Sequence, residues 1–236
     1  MIFATVFGLE HVLYLIIVSI LFTIGFYLIH KFIKNDKQIK ILIKSLALIL
    51  LILIVTNRIS ITYYNIYIDK KEGYSWVQVL PDSWCSFISL TLSLSLLFLK
   101  KDNPILHFVC YLGLFGGSFS VLYPYYIETQ GFFDIRSITG LLHHTVMFYL
   151  IVVCIKLKYF IPTIKKYYYY PIGFAIMLLF GLFEIKVLNY PTSMQLTEPL
   201  VSGAIITSWY IVSVASCIPV FVLLIILEYF RKKKTN

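Results

Sequence analysis

Apolar residues in this chain gather into runs that approach or exceed the ~20 positions needed to cross a bilayer as a helix. Short polar stretches divide one run from the next. Inside lipid every backbone N–H and C=O must find a partner within the protein, so a long apolar run is satisfied by closing its own helical hydrogen bonds. Seven runs follow one another, over 10–33, 40–63, 84–99, 104–125, 138–158, 168–188 and 204–229. They predict an all-α polytopic membrane protein, a bundle of seven transmembrane helices forming one domain over 1–236. The third run is short, and is expected to begin a turn before Cys85 or to stand nearly upright.

Charged residues make up 13% of the chain, against about 25% in soluble domains. This leaves no material for a separate soluble domain. Met1 to Glu10 lacks a basic region and the first run lacks a small-residue cleavage site, so no cleavable leader is expected. There is no nucleotide-binding glycine pattern, no internal repeat and no cofactor motif. Cys110, Cys154 and Cys217 fall inside apolar runs and only Cys85 lies at an edge, which is no disulfide framework.

The net charge of +9 is distributed as a membrane protein distributes it. Lys31, Lys34, Lys37 and Lys40 follow the first run, and Lys100 and Lys101 follow the third. Lys156, Lys158, Lys165 and Lys166 follow the fifth, and Arg231, Lys232, Lys233 and Lys234 close the chain. The opposite breaks hold only Lys70, Lys71, Arg136 and Lys186. The positive-inside rule then places the N-terminus outside and the C-terminus in the cytoplasm, as an odd number of spans requires. The expected partners are membrane lipids rather than nucleic acid. Most acids, including Glu10, Asp69, Asp82, Glu128, Asp134 and Glu184, fall toward the outer side.

With that topology, polar groups from five helices reach one outer layer. Glu10 and His11 begin the first helix, and Asn57 and Arg58 lie near the end of the second. Asp82, Trp84 and Cys85 open the third, and His143 and His144 lie about 8–9 Å down the fifth. Glu184, Lys186 and Asn189 close the sixth. Ionisable groups at such depth are costly and face a bundle interior or a wet cavity. The layer is therefore expected to be a pocket near the extracytoplasmic leaflet. Cys85 and one of the adjacent histidines, which point ~100° apart on a helix, are its candidate catalytic residues. His11, Asn57, Arg58, Asp82, Trp84, Glu184 and Asn189 are its candidate binding residues.

The reason lies in the chemistry. A thiol in a helix's first turn feels the positive end of the dipole, which favours thiolate. A histidine from another helix can act as its base. The pair would sit at the level of lipid ester carbonyls. Structural alternatives stand beside each reading. Cys85 also suits packing, and Glu10, His11, Glu184 and Lys186 also suit an interfacial flank. Arg58 suits either snorkelling or a lipid phosphate. No histidine pair has the i, i+4 spacing of a helical metal site, so no metal is expected.

The chain resembles the YwaF-type family of bacterial seven-helix membrane proteins. The likeness runs through "VFGLEHVLYLI" with His11, "PDSWC" with Cys85, "LLHHTVMF", "LNYP", "EPL" and "SWY". This resemblance implies kinship with eukaryotic transmembrane proteins implicated in acyl transfer to ether phospholipids. It also implies a more distant likeness to androgen-induced intramembrane hydrolases of fatty acid esters. Those proteins use a Cys or Thr nucleophile and a His from separate helices. Carried over, the nucleophile is Cys85. The histidine is His143 if the following apolar run is aligned, or His144 if the His–Thr pair is. Ser83 stands where the bacterial pattern has a further histidine. The expected function is a lipid acyltransferase or acyl hydrolase. The alternatives are a small-solute transport or binding protein, and a sensor or assembly partner without chemistry.

Overall fold

The computed structural model describes residues 5–197 and 209–233. The described residues are all-α, with no strand. In chain order the helices are α1 (Leu9–Phe32), α2 (Asp36–Tyr63), α3 (Trp84–Phe98), α4 (Leu106–Leu122), the single turn α5 (Ile127–Gln130), α6 (Ile135–Lys156), α7 (Tyr169–Lys186) and α8 (Trp209–Lys233). Five of them, α1, α2, α6, α7 and α8, are long and apolar enough to cross a membrane; α3 and α4 are shorter apolar helices. The expected start of the last run at 204 lies outside the described residues.

Capping side chains account for the places where helices begin earlier than hydropathy suggests. The Asn35 side chain accepts from the Gln38 N–H and draws the polar turn from Asp36 into α2. Asp134 accepts from the Arg136 N–H and starts α6 at Ile135 rather than 138. Ser83 and Ser86 form a reciprocal capping box that starts α3 at Trp84, so Cys85 is its second residue. Pro104 precedes α4 and Pro124 follows it, which trims that helix at both ends.

The core lies among α2, α3, α4 and α6. Ile43, Ala47 and Leu50 of α2 meet Ile88, Leu92 and Leu96 of α3, with Val109 and Tyr111 of α4 and Met147, Leu150 and Ile151 of α6. Gly113 lets the backbones approach: a Cβ there would lie 2.7 Å from Ile151 Cδ1 and 3.2 Å from Ile88 Cγ2. Outside this group, α1 leans on α6 through Phe22 and Phe26 against Tyr149. Helix α7 leans on α4 through Tyr170 and Phe174 against Phe108. The buried stripe of α2 continues as Ile54, Asn57 and Arg58, so one helix face changes from apolar to polar toward one end.

The segment between α2 and α3 folds back into the bundle. After α2 the chain makes a π-helical turn, Tyr64–Ile68, then returns alongside the helix it has just left. Arg58 donates to Gln78 O and Asp82 Oδ1, each at 2.6 Å, and Thr62 Oγ1 donates to Gln78 O at 3.1 Å. From Arg58 to Ile68 is ~15 Å of helical rise, so α3 starts well inside the end of α2. This explains the shortness of α3: an irregular segment covers the remaining depth. Non-helical backbone at such a level must be enclosed by protein. The arginine supplies the enclosure by satisfying its carbonyls.

A second irregular segment, after α7, closes over the first. Met194 N–H donates to Asp82 O at 2.7 Å, Trp84 Nε1 donates to Met194 O at 2.9 Å, and Tyr190 OH donates to Val77 O at 2.5 Å. Ser193 donates to Glu184 Oε2 at 2.5 Å. Gly181 makes room, since a Cβ there would lie 2.6 Å from Met194 Cγ.

Candidate functional site

A cavity of about 590 Å³ lies where the ends of α2 and the starts of α3 and α6 converge. Asn57, Arg58 and Asn65 line it from the α2 side, Asp82, Cys85 and Ser86 from the start of α3, and Gly140, His143 and His144 from α6. Asp69, Lys71, Tyr74, Arg136 and the turn holding Tyr125, Tyr126, Thr129 and Gln130 complete the wall. The expected polar layer is thus one cavity for six of its residues: Cys85, His143, His144, Asn57, Arg58 and Asp82. Both histidines line it, where a 100° separation suggested only one. Their rings meet edge to face, with centroids 4.0 Å apart at 88°, so both edges reach the same wall.

The other four candidate binding residues lie outside this lining. His11 is fully buried and uses both ring nitrogens locally: Nδ1 accepts from the Phe7 N–H at 3.1 Å and Nε2 donates to Val121 O at 2.9 Å. It ties α1 to the end of α4. Trp84 packs on Phe174 and anchors Met194. Glu184 is buried behind the segment it holds through Ser193. Asn189 is exposed, with a positive φ of 56° that turns the chain after α7.

Inside the cavity the polar groups divide into committed and uncommitted ones. Arg58, 6% exposed, is committed: besides its two short bonds it donates from Nε to Val79 O at 3.5 Å. Its fork holds protein, not a headgroup phosphate, and it does not snorkel outward. Asn57 donates to Arg136 O and Thr139 Oγ1, both at 2.9 Å, and ties α2 to α6. Arg136 is forked onto Asp134 at 2.9 Å and stacked over Tyr64 at 4.0 Å. Asp134 is held below the usual carboxylate range: burial opposes this, and the bonds and charge of Arg136 outweigh it. The Tyr74 phenol is raised by burial first and by the Asp82 charge second.

His143 and His144 are uncommitted. They are 3% and 6% exposed, and both nitrogens of His143 and Nδ1 of His144 lack a hydrogen-bond partner among the described residues. A buried imidazole without partners is expensive unless a ligand or substrate completes it. The Cys85 thiol contacts Ser120 Oγ at 3.9 Å, and no hydrogen bond joins it to either histidine. Gly116 of α4 lies against the sulfur, 3.3 Å from where its Cβ would be. In catalytic sites such bonds often form only with substrate present. What the wall offers chemically is a thiol at a helix start, two unengaged imidazoles, and a phenol that sequence reasoning overlooked, Tyr126. Its hydroxyl is buried without a partner among the described residues. Following Pro124 and Tyr125 at a helix end, it looks like an ordinary interfacial aromatic.

No curated protein and no solved structure matches the chain. The sequence profile of the TMEM164 family matches residues 6–229, from before α1 to near the end of α8. With almost its whole length matched, the chain belongs to the TMEM164 family, a family of membrane proteins.

Proposed function

We propose that the protein is a thiol-dependent acyltransferase or acyl hydrolase acting on membrane lipid esters. The observation that carries this reading is the joint lining of one cavity by Cys85 and two buried imidazoles, with both nitrogens of His143 and Nδ1 of His144 lacking a hydrogen-bond partner among the described residues. Cys85 is the nucleophile, and His143 takes the thiol proton and returns it to the departing alcohol. Arg58 and Asn57 are positioning residues, since their donors are spent on the loop before α3 and on α6. Lipid supplies the acyl group, and water or a second alcohol accepts it.

The lysine-rich breaks support seven spans with the N-terminus outside. The α1–α2, α3–α4 and α6–α7 connections carry Lys34, Lys37, Lys100, Lys101, Lys158 and Lys165, and the cavity is at the other end of those helices. In this reading α3 and α4 complete the five longer helices, and the cavity faces the extracytoplasmic leaflet of a bacterial plasma membrane. The YwaF-type motifs support the bacterial setting.

The test is intact-protein mass spectrometry of purified protein after incubation with mixed phospholipids. A hydroxylamine-sensitive gain of one acyl chain, absent in Cys85→Ser and slowed in His143→Gln, is the expected result. No adduct and no ester turnover in any lipid mixture would refute it. The lack of a Cys85–histidine hydrogen bond favours a second reading, a pocket for a small solute without covalent chemistry. In that case Cys85→Ser leaves solute binding unchanged.

A further inference from the structure

Tyr126 sits in the turn between α4 and α5 and lines the cavity with Cys85 and both histidines. It is buried and has no hydrogen-bond partner among the described residues. A phenol taken out of water without a partner is costly unless a ligand completes it. Its placement depends on Gly140, one turn before His143 and His144 on α6. A Cβ at 140 would lie 3.1 Å from the hydroxyl oxygen and 3.2 Å from the ring. The phenol therefore lies directly over the glycine, on the face of α6 that leads to the histidines. Its neighbour Tyr14 is already engaged with Thr145 Oγ1 at 2.5 Å.

Burial first, then the proximity of Tyr14, Cys85 and Tyr125, pushes the Tyr126 phenol far above its ordinary range. It remains an O–H donor at any physiological pH, on a wall of the cavity that Cys85 also lines. A fixed, neutral donor beside a nucleophile is the arrangement that stabilises a developing oxyanion.

Building on the acyl-transfer reading, we infer that Tyr126 is a catalytic residue whose hydroxyl donates to the carbonyl oxygen of the ester attacked by Cys85. The sulfur–carbon bond forms as the thiol proton passes to His143, and the carbonyl π electrons move onto oxygen, where Tyr126 receives them with a hydrogen bond. The oxyanion then collapses, the carbon–alkoxy bond breaks, and the proton on His143 goes to the leaving alcohol. A thioester on Cys85 and a free alcohol result, with no redox change.

The experiment compares two reactions of the same sulfur in purified full-length protein. Acylation by p-nitrophenyl octanoate passes through an oxyanion; alkylation by iodoacetamide, a displacement at saturated carbon, does not. Tyr126→Phe keeps the ring over Gly140 and removes only the hydroxyl. The expected result is acylation slowed by about 10²–10³-fold, the usual loss of one oxyanion donor, with alkylation unchanged. Gly140→Ala, which crowds the hydroxyl off its seat, should slow acylation selectively to a smaller degree. Acylation at the wild-type rate in Tyr126→Phe would overturn the inference alone. An equal fall in both reactions would also overturn it, making Tyr126 a support for the thiol. A wild-type thiol that alkylates but never acylates would bring down the acyl-transfer reading, and Tyr126's role with it.

Discussion

Arg58 donates to Asp82 at 2.6 Å, and the same guanidinium takes the Gln78 carbonyl at 2.6 Å, so one side chain of α2 fixes the level at which α3 begins. That level is what places Cys85 on the wall of the cavity that His143 and His144 also line. Removing one partner of a buried ion pair leaves the other charge uncompensated, a cost of about 3–5 kcal/mol. Arg58→Met is therefore expected to destabilise the fold by that amount, since it also takes a donor from the Gln78 and Val79 carbonyls. Asp82 is more exposed, with a third of its side chain accessible, so Asp82→Asn should cost only about 1.5–3 kcal/mol. Chemical unfolding in detergent checks the order. Equal losses for the two variants would show that the carbonyl contacts contribute nothing.

Much of this arrangement is legible from the chain itself, and the reasons for the rest are specific. The apolar runs need only local hydropathy, and the helices follow them to within a turn or so where caps such as Asn35 and Asp134 intervene. That Cys85, His143 and His144 line one cavity followed from depth, because the expected topology places the start of α3 and the first half of α6 at one level. Arg58 and His11 were harder. A cation or imidazole near a helix end looks the same whether it faces lipid headgroups, a substrate or a distant carbonyl. Gln78 and Val121 decide between these, and they lie far along the sequence. Tyr126 was invisible for a similar reason: what singles it out is the missing Cβ at Gly140, across a helix–turn contact that no local pattern encodes.

His143 is expected to matter more than its neighbour to the reactivity of Cys85, because neither of its nitrogens has a partner among the described residues. His143→Gln should lower the rate of Cys85 acylation by about 10²–10⁴-fold, the range for loss of a general base. His144→Gln should lower it less. Single-turnover acylation, followed by intact mass, reads both, and circular dichroism confirms that each variant keeps its helices. The reverse order would assign the base to His144.

Gly173 is a packing requirement of the α4–α7 contact. A Cβ there would lie 2.3 Å from Phe108 Cγ and 2.6 Å from its Cβ and Cδ1. Phe108 is itself buried between Tyr170 and Phe174 and has little room to withdraw. Gly173→Ala should destabilise the protein by about 1–3 kcal/mol, the cost of overpacking, despite the better helix propensity of alanine. Adding Phe108→Leu should recover part of the loss. A stable single variant with unchanged unfolding would show that α7 shifts freely on α4.

The opposite end of the bundle is closed by Asp102, and its pH dependence follows from its partners. Lys166 Nζ and His107 Nε2 donate to its carboxylate, the latter at 3.1 Å, as does the Ile161 N–H at 3.1 Å; the Asp102 N–H donates to Tyr159 O at 3.0 Å. Burial alone would raise this carboxyl. The Lys166 and Ile161 bonds and the charges of His107 and Lys166 outweigh burial and hold it below its ordinary range. In the unfolded chain it titrates near ~3.9. A group with the lower pKa in the folded state contributes its full stability above the unfolded value. That contribution is lost as pH falls from there through the folded value. Thermal unfolding in detergent should therefore show a midpoint drop below pH ~4 that includes an Asp102 component. Asp102→Asn should start from a lower midpoint at pH 7 and fall less steeply in acid, since the amide carries no such titration. Parallel curves for the two proteins below pH ~4 would mean that this carboxylate gains nothing from its partners in the folded state.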